Sequence, residues 1–217
     1  MALALFDLDD TLIDGDCASL WSSHMAALGW VDGPSFIKRD RELMALYAQG
    51  KLAMEEYMTF SLSPLVGRTI EEVADAVDPF VEDIITPRIH ADAIACLARH
   101  REAGDRLLII SASAHFLVSR IGKQLGVDEV LAIDLEHRQG VYSGNTTGIL
   151  TYREGKVARL QTWLQEQDET LDGAYFYSDS RNDLPLLSAV SRPYTVNPDA
   201  TLQAHADAAG WPILRWQ

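Results

Sequence analysis

Short apolar runs alternate with helical patterns along most of this chain, and that alternation restricts the fold more than any other feature. The runs at 2–8, 106–111, 130–135, 174–178 and 194–197 are nearly continuous in aliphatic and aromatic residues. Strands of that kind are buried on both faces. Helical patterns lie between them at 91–103, 115–125, 154–166 and 183–190. The expectation is an α/β fold, a doubly wound, mostly parallel sheet with helices on both faces. Turn residues at Gln139-Gly140 and Ser143-Gly144-Asn145 add a small hairpin before the helix at Glu154.

One interval breaks the rhythm. Roughly 100 residues separate the end of the first run from the end of the second, far more than a crossover needs. The excess carries helical spacing at Trp21, Met25 and Leu28, at Leu43, Leu46 and Tyr47, and at Ile70, Val73 and Val77. Gly33-Pro34, Gly50, Ser63-Pro64 and Pro79 are expected to break it into pieces. The predicted organisation is a core of residues 1–14 and 87–217 with a helical cap, 15–86, inserted over the end of the first strand. Asp14-Gly15 and Thr86-Pro87 are its expected hinges.

Composition narrows the function classes. The chain has 217 residues, with 32 acids against 18 bases and a net charge of −14. It shows no local basic patch, so a nucleic-acid partner is not expected. The longest uncharged run, 107–119, contains Ser111, Ser113 and His115 and does not read as a membrane span. Asp7, Asp9 and Asp10 interrupt any leader-like start, and Cys17 and Cys96 cannot form a disulfide framework. The expectation is a cytoplasmic protein; its oligomeric state is open.

The polar residues collect at strand ends, where open α/β sheets bind their ligands. The first strand delivers Asp7, Asp9 and Thr11, the second Ser111, and the fourth Asp179, Asn182 and Asp183. Lys156 opens the helix before the fourth strand. Carboxylates gathered at one point repel one another, and a divalent cation relieves that; an all-oxygen donor set suits Mg²⁺. A hydroxyl and a lysine beside the cluster imply an anionic substrate, for which phosphate fits best. Asp10 reads as a solvated loop acid, His115 as a packing or surface residue, and Arg181 and Asn182 are divided evenly between turn residues and phosphate contacts. Trp211 and Trp216 are expected to dock on the core.

These residues carry a resemblance to the haloacid dehalogenase superfamily, in its helical-cap, phosphoserine-phosphatase-like branch. The motif D-x-D-x-T stands as Asp7-Leu8-Asp9-Asp10-Thr11, the strand-end hydroxyl as Ser111, the lysine as Lys156, and the last motif as Ser178-Asp179-Ser180-Arg181-Asn182-Asp183, with Ser178 where the family prefers glycine. The resemblance implies a Mg²⁺-dependent phosphatase acting on a small phosphorylated metabolite. Asp7 would be the nucleophile and Asp9 the acid/base. The metal would take the Asp7 carboxylate, the Asp9 carbonyl and Asp179, supported by Asp183. Ser111, Lys156, Thr11 and Asn182 would contact phosphate, helped by amides at the start of the helix after Ser113.

The same resemblance bears on substrate. Phosphoserine phosphatases carry an acid nine residues past the nucleophile that receives the substrate amine, which here is Asp16, although Asp16 could instead merely cap the first cap helix. Their cap arginine pairs with the substrate carboxylate; in the matching stretch, Gly50 to Thr59, Thr59 stands in its place. With Glu55 and Glu56 nearby, a carboxylate is expected to be disfavoured. The implied substrate is an amine-bearing ester such as histidinol phosphate, phosphoethanolamine or phosphocholine. Phosphoserine phosphatase and phosphomutase are the enzymatic alternatives, with a haloacid dehalogenase proper disfavoured by Asp9. A receiver-like signalling module is the non-enzymatic one, although receivers lack the inserted cap.

Overall fold

A computed structural model describes residues 2–127 and 129–217. Seven strands form one sheet: β1 (Leu3–Phe6), β2 (Arg106–Ala114), β3 (Glu129–Arg138), β4 (Val141–Thr147), β5 (Tyr175–Ser178), β6 (Arg192–Val196) and β7 (Ile213–Leu214). Their order is β4-β3-β2-β1-β5-β6-β7, and every pairing is parallel except β3 with β4. The chain moves outward from β1 to β2 and β3, then returns to the far side of β1 as β5. The C-terminal end of β1 is therefore the switch point of the sheet, where a crevice forms between diverging connections.

Alternate residues of the buried strands feed two cores. Ala4, Phe6 and Ile109 pack on one face, and Leu3, Leu5, Leu108 and Ile110 on the other. All four residues of β1 are buried, as the uninterrupted apolar run requires. The helices α5 (Ala91–Glu102), α6 (His115–Gln124), α7 (Glu154–Gln167), α8 (Leu184–Leu187) and α9 (Ala200–Ala209) cover these faces. Trp216 is buried in the first core and Trp211 packs against the second. The β3–β4 turn, Gln139-Gly140, takes positive φ at both residues (54° and 78°), the geometry that matches strand twist in a tight hairpin.

Between β1 and α5 stand α1 (Cys17–Ala27), α2 (Gly33–Ala48), α3 (Met54–Leu62) and α4 (Ile70–Phe80). The chain enters and leaves this region at one place: Ile13 bridges Ile89, the Asp14 N–H donates to the Arg88 carbonyl at 2.8 Å, and the His90 N–H to the Leu12 carbonyl at 3.1 Å. A further attachment joins it to the hairpin. Gly67 N–H donates to the Tyr142 carbonyl, Tyr142 N–H to Arg68, and Ile70 N–H to Gly140, at 2.9–3.1 Å. The segment thus satisfies part of the otherwise open β4 edge.

Several boundaries differ from the sequence expectation. Pro79 does not break its helix: α4 runs through it to Phe80 and passes into a π-helical turn, Val81–Ile85. Pro79 lacks an N–H donor, and the π-helical turn begins two residues after it. Leu28 caps α1 and is exposed rather than packed, as is Ile70 at the start of α4. The second strand continues past Ser111 to Ala114 through a register shift after Ile110, and the helix expected at 183–190 shrinks to α8 after a 3₁₀ turn at Arg181–Asp183.

Candidate active site

Asp7 follows β1 directly, and its N–H donates to the Tyr177 carbonyl on β5 at 2.9 Å, which extends the ladder to the switch point. Its carboxylate accepts from Lys156 Nζ at 2.8 Å, and the same ammonium lies 2.8 Å from Asp183. Lys156 and Asp183 are each 2% exposed. Burial drives the Asp7 pKa upward, Lys156 opposes it, and Asp183 and Asp9 reinforce it, with a result of about 7. Burial alone would lower the Lys156 pKa, but the two carboxylates outweigh it and hold the ammonium charged.

The remaining acids are fixed by hydroxyls. Thr11 Oγ1 donates to Asp179 at 3.1 Å and accepts from the Asp179 N–H at 3.0 Å. Buried and so engaged, Thr11 orients Asp179. Asp179 is raised well above the ordinary carboxylate range by burial and by Asp7, Asp10 and Asp183, with Thr11 opposing. Ser178, the residue in the glycine position, donates to Asp183 at 2.7 Å. Asp9 accepts from the Cys17 N–H at 2.7 Å, Ser113 Oγ at 2.8 Å and Ser111 Oγ at 3.3 Å. Sequence reasoning passed over Ser113; its signal was Ser111-Ala112-Ser113, two hydroxyls two residues apart at a strand end.

Asp10 is exposed and holds the turn with Gly15. His115 is half-buried and borders a groove beside α4, away from the carboxylates. Asn182 is buried. Its amide oxygen accepts from Arg153 Nε at 3.2 Å and Tyr152 Oη at 3.3 Å, while Nδ2 donates to the Tyr47 carbonyl at 3.4 Å. Arg153 also donates to the Gly50 carbonyl. These bonds tie the α2–α3 turn to the sheet side of the molecule. The Arg181 guanidinium packs beside Gly50.

The cavity above Asp7 is lined by Asp9, Asp16, Ala18, Met44, Tyr47, Leu52, Met54, Tyr57, Ala112 and Ser113. Asp16 both lines it and caps α1, accepting from the Ser19 N–H at 2.7 Å. Burial and the neighbouring Asp9 raise its pKa well above the ordinary value. Thr59 is not brought to the cavity: it is exposed and donates to the Glu55 carbonyl within α3. Glu55 is exposed too, and Glu56 pairs outward with Arg39 at 2.6 Å. The helix turns Met54, Tyr57, Met58 and Ser61 inward instead, as i, i+3, i+4 and i+7 spacing dictates.

The donor set suits a hard cation. Asp7 and Asp183 flank Lys156, and burial together with the mutual repulsion of Asp7, Asp9, Asp179 and Asp183 raises Asp7 and Asp179. Among the described residues no group of three or more His, Cys, Asp or Glu side chains is arranged to hold a metal ion as the side chains stand. An ion that keeps several waters and takes one or two carboxylates, as Mg²⁺ does, needs none.

A buried strand-end aspartate paired with a lysine, a second acid two residues on, and an aspartate pair beyond β5 define a class. The chain belongs to the haloacid dehalogenase-like hydrolase family, whose model matches residues 4–188. Within that family it is a phosphatase. It is 37% identical to a histidinol-phosphatase of Neisseria meningitidis serogroup C over 99% of both chains. A Bordetella pertussis protein of unknown function shares its structure with a TM-score of 0.91 and 36% identity, over 98% of this chain and 97% of that one. A phosphoserine phosphatase holding an analogue of its phospho-aspartyl intermediate has a TM-score of 0.72 at 19% identity, covering 98% and 92%, a likeness of fold. No helix among the described residues is long and apolar enough to cross a membrane.

Proposed function

We propose that this phosphatase hydrolyses a small phosphomonoester whose leaving group carries a cationic amine and no carboxylate, histidinol phosphate foremost. The observation that carries this reading is the lining of the cavity: acids Asp9 and Asp16, aromatic Tyr47 and Tyr57, and apolar Met44, Leu52 and Met54, with no cationic side chain. An amine gains from Asp16 and from the aromatic faces. A substrate carboxylate would find no cationic partner among these residues and would face Asp9 and Asp16, which disfavours phosphoserine. The name of the full-length relative, histidinol-phosphatase, supports the same choice.

In this reading Asp7 attacks phosphorus and the phosphoryl group passes to its carboxylate oxygen while the ester oxygen leaves. Asp9 gives that oxygen a proton, then takes one from the water that hydrolyses the aspartyl-phosphate. Lys156, held between Asp7 and Asp183, is positioned to stabilise the phosphoryl oxygens, with Ser111 beside it. Asp7 and Asp179, with the Asp9 carbonyl and support from Asp183, would hold Mg²⁺. Mg²⁺ bound there supplies positive charge to the phosphoryl oxygens and offsets the crowding of acids.

The test is kcat/KM across histidinol phosphate, phosphoethanolamine, phosphocholine and phosphoserine, with Mg²⁺ present and after chelation. Histidinol phosphate should lead, activity should vanish on chelation, and Asp7→Asn should abolish turnover. A lead for phosphoserine, or near-wild-type turnover by Asp7→Asn, refutes the reading.

A further inference from the structure

A groove of about 410 Å³ opens between α4, α6 and the β3–β4 hairpin. Small-molecule pockets run from roughly 300 to 1,000 Å³, so it has room for a ligand. Ile70, Val73 and Val77 supply the α4 wall, Phe116 the α6 wall, and Leu135 and Tyr142 the hairpin wall. Tyr142 meets Phe116 and His137 edge to face, with ring centroids 6.0 and 4.6 Å apart. Such walls favour an aromatic or branched apolar body. Tyr142 is 5% exposed, and its hydroxyl has no hydrogen-bond partner among the described residues. Unlike the sealed hydroxyl of Tyr57, it keeps access to solvent. Burial of the ring holds the phenol protonated, so it presents an O–H donor at the groove.

Two charges of opposite sign share this groove, Arg120 and Asp134. Each has a partner outside it and keeps capacity to spare. Arg120 approaches Asp78 through Nε at 3.3 Å, which leaves its terminal nitrogens. Asp134 takes Arg159 on Oδ2 at 2.5 Å, which leaves Oδ1. A lone anion would face Asp134 in a chain of net charge −14, and a lone cation would face Arg120. A ligand with both charges and an apolar body answers the whole lining. We infer that the groove is a binding site for a free amino acid with an aromatic or branched side chain. Its carboxylate meets Arg120 and the Tyr142 hydroxyl, its ammonium meets Asp134, and its side chain packs on Val73, Val77 and Phe116. The groove shares no wall residue with the cavity above Asp7, so it can fill whichever ester the enzyme hydrolyses. An occupant bridges the inserted helices, through α4, and the core, through α6 and the hairpin.

Titration calorimetry on the whole chain tests each part of the site. L-Phenylalanine should bind at one per chain with a Kd below about 1 mM. Phenylpropanoate lacks the ammonium, phenethylamine the carboxylate and glycine the apolar body, and each should bind about tenfold or more weakly. Tyr142→Phe should weaken phenylalanine binding by about three- to tenfold. Ala74→Phe, which fills the groove from α4, should abolish it, while turnover of a phosphate ester shows that the variant is folded. Asp16→Asn should leave binding within about twofold, since the two sites are separate; a larger loss would put the amino acid above Asp7 and overturn the inference. Absence of binding at millimolar phenylalanine overturns it too, as does a wild-type chain that does not distinguish phenylalanine from phenylpropanoate and phenethylamine. Undiminished binding by Tyr142→Phe or by folded Ala74→Phe has the same force. The wild-type series decides the matter even where a variant fails to fold.

Discussion

Gly155 packs against the main chain of Leu150 so closely that a Cβ at position 155 would lie 1.9 Å from the Leu150 carbonyl oxygen. The neighbouring atom is backbone and cannot rotate away, and the next residue is Lys156. Gly155→Ala should therefore displace the start of α7 and with it the ammonium between Asp7 and Asp183. A fall of about 100-fold in kcat is expected, because small misplacements of a positioned group cost that much. Steady-state kinetics beside a circular dichroism spectrum check it; full activity in a folded variant would show that α7 tolerates the shift.

Asp16 both caps α1 and lines the cavity, and one substitution separates the two roles. Asparagine caps about as well as aspartate, so Asp16→Asn should change unfolding free energy by only a few tenths of a kcal/mol. It removes the charge that would meet a substrate amine, so kcat/KM for amine-bearing esters should fall about tenfold or more relative to a neutral ester. Denaturant unfolding and kinetics on the same preparation read both effects.

Arg153 bonds Gly50 on one side and Asn182 on the other, and Arg153→Ala should loosen the α2–α3 turn over the cavity. KM is expected to rise several-fold with a smaller change in kcat. Hydrogen exchange at Gly50 and Lys51, whose amides donate to Tyr47 and Leu46, should quicken. The amides of Gly67, Ile70 and Tyr142 should stay protected, since their ladder to the hairpin does not depend on Arg153.

Asp105 carries a pH-dependent share of stability. Burial works to raise its pKa, but the bonds from His100 Nδ1 at 2.8 Å and the Ala2 N–H at 2.9 Å outweigh it and hold the pKa below 3.8. A depressed carboxylate stabilises the fold above its unfolded pKa, and the contribution is lost as pH falls through the folded value. Asp105→Asn should lower stability at neutral pH, and the difference from wild type should close as the medium passes below about pH 4. Thermal melts from neutral to acid pH decide it.

The sequence was most legible where the chemistry is local. A short continuous apolar run fits a buried strand, and Asp7-Leu8-Asp9 at its end is recognised by that strand together with the matching residues downstream. Lys156 and Asp183 were readable as motif residues, although not that one ammonium sits between two carboxylates. Thr11 and Asn182 are legible as motif positions, and Thr59 as the residue standing where the family's cap arginine would be, but their bonding partners are not. In the folded chain their hydroxyls and amide engage Asp179, Arg153 with Tyr152, and the carbonyl of Glu55.

Sequence by itself determined the α/β alternation, the interruption after β1 and the acids at the strand ends, because each follows from periodicity or from residue type within a few positions. Only the tertiary structure decided which side chains face the cavity. Tyr57 rather than Thr59 looks inward because the rotation of α3 is set by packing against partners far away in sequence. Ser113 joins Ser111 because a register shift in β2 carries the strand past its expected end. Arg153 reaches Gly50 across 103 positions. Such contacts depend on the angle at which packed elements meet, and no short window of sequence encodes that angle.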